Sequence, residues 1–241
     1  MAFIDDDCQP DARWLRALAD RYMQAPGRAV GGRTVNLPAE DVYSRAGQFI
    51  LDLVYEFYNA GGSEPRFFAS NNLAFPRDRF IRVGGFDPGF RCPGGEDREL
   101  CDRWVQLGHG MTYAPHAVVH HARPGGFGAF ARQYFGYGRG AYLYHRARAA
   151  RGSGRLRSDL GFYRLLARTV HRPLRGAGGR DALLLLALLA VWQVANTAGF
   201  AWEGVRSRAH RTDRTPRPQR LDEEVIAHEP HVEEYLDVVA R

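Results

Sequence analysis

Pro93-Gly94-Gly95-Glu96-Asp97-Arg98-Glu99-Leu100 decides how the rest of the chain is read. Paired glycines permit a turn that side chains would crowd. The acids behind them open an apolar period, Leu100, Trp104 and Leu107, that stops at Gly108. The spacing predicts a loop feeding a helix. Glu96 and Asp97 fall in its first turn, where unpaired N–H groups and the helix dipole favour ionised carboxylates. An acid pair in that place is either a cap or chemistry, and the surrounding pattern has to choose.

Upstream, Phe67-Phe68-Ala69-Ser70 and Leu73-Ala74-Phe75 flank Asn71-Asn72. Pro76 then starts a short helix that Gly84-Gly85 closes, before the turn Phe86-Asp87-Pro88. Residues 29–35 read as a strand and 42–58 as a long helix with Phe49, Ile50, Leu53, Val54 and Phe57 inward. At the front, Met1-Ala2-Phe3-Ile4 predicts a short strand ending in the acids Asp5-Asp6-Asp7. A helix follows with Trp14, Leu15, Leu18 and Tyr22 on one face. Adjacent carboxylates repel unless a cation sits between them, so the triplet is a candidate for a hard metal holding a diphosphate. Solvated loop acids before a helix are the other reading.

Downstream, 111–113 and 117–121 predict short strands, the second ending in His120-His121-Ala122-Arg123-Pro124. Paired histidines are metal ligands if carboxylates complete the shell, and otherwise a surface pair. Phe127, Phe130, Ala131, Tyr134 and Phe135 run at helical spacing into Gly136-Tyr137-Gly138-Arg139-Gly140, with Arg132 and Gln133 on that helix. The stretch 146–180 is rich in arginine and glycine. Its amphipathic patch Leu160, Phe162, Tyr163, Leu165 and Leu166 suits an anionic membrane surface. Residues 182–202 would reach about 31 Å as a helix, enough to span a bilayer. The tail is first basic and then acidic, and predicts a solvated extension.

Composition narrows the classes. With 241 residues and 45% apolar content, the chain can form one sizeable domain and an appendage. Its net charge of +6 rests on arginine alone, since the sequence holds no lysine, and no aromatic-and-basic recognition motif accompanies it. No nucleic-acid partner is expected. Cys8, Cys92 and Cys101 are odd in number and lack C-x-x-C spacing, which suits free thiols in a reducing compartment.

Five segments taken together resemble a known family. Phe3-Ile4-Asp5-Asp6-Asp7, Ser70-Asn71-Asn72-Leu73-Ala74-Phe75, Val83-Gly84-Gly85-Phe86-Asp87, Gly95-Glu96-Asp97-Arg98-Glu99-Leu100 and Val119-His120-His121-Ala122-Arg123-Pro124 stand in the order found in family 2 inverting glycosyltransferases of the GT-A fold. The resemblance covers residues 1–148. It implies a nucleotide-diphosphate sugar donor, a divalent cation, Mg2+ or Mn2+, and a saccharide or lipid-linked acceptor.

Residue by residue, the resemblance places Asp5 and Asp6 at the nucleotide and its ribose, Asp7 on the metal, and Asp97 as the catalytic base. Gly95 and Glu96 belong to the acceptor loop. The family's histidine stands three residues before the arginine of its segment, which assigns His120 rather than His121 as the second metal ligand. The helix carrying Arg132 and Gln133 closes over the site, Arg132 toward the diphosphate and Gln133 toward the acceptor. Family members carry two further βα units before the acid triplet, so an N-terminally truncated fold is expected, with a complementary N-terminal chain as a possible partner.

The expected architecture is therefore α/β, GT-A-like, with a membrane helix near the C terminus. Residues 1–150 would form the metal, base and acceptor half, 151–181 a basic interfacial linker, 182–202 a transmembrane helix and 203–241 a charged tail. The expected activity is sugar transfer to a hydroxyl with inversion, in cell-envelope polysaccharide or glycolipid synthesis, at the cell membrane with the catalytic part cytoplasmic. An inactive or complementing fragment and a non-enzymatic basic membrane protein are the alternatives.

Overall fold

Strands β3 (Ala29–Leu37) and β5 (Met111–Ala122) run parallel through the centre of a five-stranded sheet of the computed structural model. Residues 1–37, 41–60, 64–122, 125–153, 160–175 and 177–209 are described. Strands β1 (Ala2–Phe3), β2 (Cys8–Pro10) and β4 (Leu73–Ala74) complete the order β1-β4-β3-β5-β2, with β4 antiparallel to β3 and β2 antiparallel to β5.

Where two short strands were expected after Gly108, β5 is a single element of 12 residues. Its register against β3 jumps from Gly32 opposite Ala114 to Arg33 opposite Val118. Pro115 lacks the N–H that an unbroken ladder would need, so the irregularity falls where the sequence cannot pair.

The helices are α1 (Trp14–Gln24), α2 (Val42–Asn59), α3 (Arg77–Val83), α4 (Glu96–Gln106), α5 (Phe127–Arg151), α6 (Leu160–Thr169) and α7 (Gly179–Ala209). Asp41 caps α2 by accepting the Ser44 N–H at 3.0 Å, and Gly84 at φ 91° closes α3. The expected inward face of α1 is corrected. Leu18 is buried and Trp14 and Ala17 pack beside it, while Leu15 is 60% exposed and Tyr22 stands at the surface. Leu107 likewise lies outside, just past the end of α4.

One core joins α4 to the sheet through Leu100, Cys101, Trp104, Phe68, Leu73, Phe75 and Met111. A second joins α2, α5 and α7 through Phe49, Ile50, Leu53, Phe130, Tyr134, Leu188 and Trp192. The apolar segment expected at 182–202 forms the centre of α7, which is long and apolar enough to cross a membrane. Part of the expected linker forms α6, and of the charged tail only residues 203–209 lie among those described.

Candidate functional site

Beneath the site, Asn72 is fully buried and fully used. Its Oδ1 accepts Trp14 Nε1 at 2.9 Å, and its Nδ2 donates to the carbonyls of Arg33 at 3.0 Å and Ala117 at 2.9 Å. The amide thereby ties α1, β3 and β5 together at the register jump. Gly32 is glycine because a Cβ there would meet the Ala117 oxygen and the Asn72 amide at 2.3 Å. Beside it, Thr34 Oγ1 donates to Asn71 Oδ1 at 3.2 Å. The Ser70-Asn71-Asn72 segment is thus a buried polar strut.

The acidic helix start is set by backbone contact. Gly94 and Gly95 hold φ of 87° and 96°, conformations that suit glycine. A Cβ on Gly95 would fall 2.5 Å from the Gly140 oxygen, and a Cβ on Gly140 would fall 1.5 Å from the Gly94 oxygen. Glycines inside α5 would weaken an isolated helix, and here they let the loop sit directly on it.

That contact fixes how Glu96 and Asp97 are presented. The half-buried Asp97 carboxylate accepts the Arg98 N–H at 2.7 Å and also the amides of Ser70 and Gly95. Burial raises its pKa above the ordinary carboxylate range, against the pull of Arg98 and these N–H groups. Glu96 is pushed up to about 7 by burial and then by the Asp97 charge. Its Oε2 is buried with no hydrogen-bond partner among the described residues.

The acid triplet lies within electrostatic reach of these two. Partial loss of water and then the Asp7 charge raise Asp5, with Asp97 and Asp6 acting in the same direction and His121 opposing them. Asp6 is exposed, and no hydrogen bond or ion pair joins it to another described residue.

The histidine against Asp7 is His121. Its Nε2 lies 3.0 Å from Asp7 Oδ2, whereas His120 Nε2 bonds Asp11 Oδ1 at 2.8 Å. The expected pairing of Asp7 with His120 is corrected by strand geometry. Cys8 stands directly opposite His121 and Gln9 opposite His120, and directly opposed residues share a face of the sheet. The residue three before Arg123 therefore points away from the acids, while Arg123 itself lies outside the described residues.

Asp7, Cys8 and His121 bring one ligand atom each within 4.8 Å of one another. The Cys8 thiol donates to Asp7 Oδ1 at 3.5 Å, and burial followed by the Asp7 charge pushes its pKa up to about 12. Of the three, the carboxylate and the imidazole are the donors suited to a hard or borderline divalent ion.

Arg132 and Gln133 lie in the first turns of α5. Arg132 is exposed, with no ion pair to the acids among the described residues, and Gln133 Nε2 donates to the Tyr137 hydroxyl at 3.0 Å. Ser70, whose amide holds Asp97, and Asp11, which takes His120, carry no site role in the sequence reading. Backbone donors and cross-strand pairs leave no signal in residue type.

Residues 54–123, which include the glycine loop, the acid pair and both histidines, match the family model described as the N-terminal domain of galactosyltransferase. Over 138 residues the chain is 30% identical to the glucosyl-dolichyl phosphate glucuronosyltransferase of Haloferax volcanii, an alignment that covers 50% of this chain and 42% of that protein. The chain thus spans about two fifths of the length of this curated relative. A crystal structure of GalNAc-T7 with UDP, GalNAc and Mn2+ aligns over 70% of this chain and 40% of its own, at 14% identity and a TM-score of 0.38.

Proposed function

We propose that the chain is a glycosyltransferase of the family 2, GT-A type, a reading the two sequence matches support, and that Asp97 is the base in transfer of a sugar from a nucleotide-diphosphate donor to an acceptor hydroxyl, with inversion. The observation that carries this is that Asp5 is raised by the charges of both Asp7 and Asp97 and itself raises Glu96, so that acids from distant parts of the sequence repel one another around Asp5. Such a group costs stability unless a cation neutralises it, and the Asp7–His121 pair would offer a divalent cation two ligands there.

Asp7 and His121 would hold the ion, and a bound Mg2+ or Mn2+ would supply neutralisation of the departing diphosphate. Asp5 and Asp6 would meet the nucleotide. Three backbone N–H groups hold Asp97 in one orientation, and burial raises its proton affinity above that of an ordinary carboxylate, which strengthens it as a base. The acceptor oxygen loses its proton to Asp97 as it attacks the anomeric carbon from the side opposite the diphosphate. Arg132 and Gln133, on the helix that carries the glycine loop, would meet the diphosphate and the acceptor.

A lipid-linked or saccharide acceptor in cell-envelope synthesis, at a membrane, is the fuller reading. It draws support from the relative that acts on a dolichyl phosphate and from the length and apolarity of α7. The test is Asp97→Asn in a preparation that turns over a nucleotide sugar. Transfer should fall at least about a hundredfold while donor affinity stays within about twofold. Equal rates would reject Asp97 as the base. The buried, unpartnered Oε2 of Glu96 supports a second reading, and loss of transfer confined to Glu96→Gln would move the proton to that residue.

A further inference from the structure

Helix α4 carries two adjacent stripes. Asp97, Cys101 and Trp104 face the site and the core, while Arg98, Asp102 and Val105 line a cavity of about 150 Å3 shared with Tyr58, Arg66, Tyr144 and Arg148. Three arginines therefore converge on one small space beside, and distinct from, the acidic group.

Asp102 is the carboxylate in the cavity wall. Asp102 is held by Arg151 at 2.8 Å and by the Ser153 hydroxyl at 2.8 Å, with Arg148 at 3.7 Å. Among the described residues neither Arg66 nor Arg98 forms an ion pair with a carboxylate. Arg98 donates to the Tyr58 hydroxyl, and its guanidinium lies 5.3 Å over the Tyr144 ring. Arg148 lies over the same ring at 5.2 Å. The Asp97 charge reaches Arg98 through space, with its oxygens turned to backbone amides. A half-buried guanidinium with only a hydroxyl and a ring for company leaves much of its donor fork unused. A tetrahedral oxyanion is the ligand that such forks bind best.

We propose that this cavity binds a phosphate group, either free, as a soluble phosphomonoester, or as the headgroup of an anionic lipid. Arg66 closes on it from the surface, Arg98 and Arg148 hold it from below, and the Tyr58 hydroxyl adds a neutral donor. The lipid source has a structural route: Phe57, also in the cavity wall, meets Phe162 of α6 at 5.5 Å, and α6 exposes Leu160 and Tyr163. The site stands apart from the transferase reading and needs no donor or metal.

The test uses the full chain, titrated calorimetrically with inorganic phosphate at ionic strength held constant with sodium chloride. A parallel arm uses phosphatidylcholine vesicles with and without phosphatidic acid. Arg66→Ala removes an exposed side chain and should leave the melting curve unchanged. Arg77→Ala, an exposed arginine outside the cavity, is the control. Arg66→Ala should weaken phosphate or phosphatidic-acid binding at least about tenfold, with Arg77→Ala unchanged. Dependence on Arg66 in the phosphate arm assigns a soluble ester, and dependence only in the vesicle arm assigns a lipid headgroup. Binding that is equal in wild type and Arg66→Ala in both arms, or lost equally in Arg77→Ala, would overturn the proposal.

Discussion

His121 Nε2 lies 3.0 Å from Asp7 Oδ2 across 114 positions of sequence. The antiparallel pairing of β2 with β5 makes the contact, so the ligand pair exists only when this sheet edge is formed. Manganese titration followed by electron paramagnetic resonance should show one site that weakens at least about tenfold in Asp7→Ala and in His121→Ala. His120→Ala should leave it intact. Loss in His120→Ala alone would return the ligand role to that residue.

Glu96 gives a stability signature. Its folded pKa of about 7 lies above its ordinary value of 4.5, so between these the folded state keeps a proton that the unfolded state has released. Stability should therefore fall as pH rises from about 4.5 to 7. Glu96→Gln should flatten that slope and stabilise the protein above pH 7 by on the order of 1 kcal/mol. Denaturant midpoints across this range decide it, and an unchanged slope in the variant would count against the shift.

Gly140→Ala tests the seat of the catalytic loop. The new methyl would need to lie 1.5 Å from the Gly94 oxygen, which no rotamer change can relieve. Donor turnover should drop at least about tenfold as the acid pair moves, with far-ultraviolet dichroism retained. Gly152→Ala, where a Cβ would meet nothing within 4 Å but φ is 72°, should cost only local strain. Equal activity in both variants would show that the loop tolerates displacement.

Helix α7 presents Leu183, Leu186, Val194 and Val205 outward, while Leu185, Leu188, Leu189 and Trp192 pack on the body. In flotation with anionic vesicles the chain should rise with lipid, and Leu183→Ser with Leu186→Ser and Val194→Ser should reduce that fraction severalfold. An unchanged fraction would exclude this outer face as the lipid contact.

Much of this was legible in advance where a local rule operates. The loop into α4, the length of α2 and the close of α3 follow from glycine and proline placement and from apolar period. The inner face of α1 was not legible, because Leu15 and Tyr22 satisfy a helical period as well as Leu18 does, and the choice between faces is made by where the sheet lies. His120 and His121 are equivalent in composition, and only the partner strand, three residues long, tells them apart. The Asn72 strut was equally silent, since its partners are a distant indole and two carbonyls.

Helix α5 meets its neighbours backbone to backbone on two sides. Gly140 touches the Gly94-Gly95 turn, and Gly138, two residues earlier, leaves room for the Asn196 carbonyl of α7. A second close approach, Gly199 of α7 against the Phe135 carbonyl, repeats the second contact about one turn away. Side chains at an interface act as springs, because they can change rotamer and absorb a shift of an ångström or so. Main-chain contacts have no such slack. The turn that presents Glu96 and Asp97 and the apolar helix α7 are thus connected in series by stiff elements, and a tilt of one would be delivered to the other nearly undiminished.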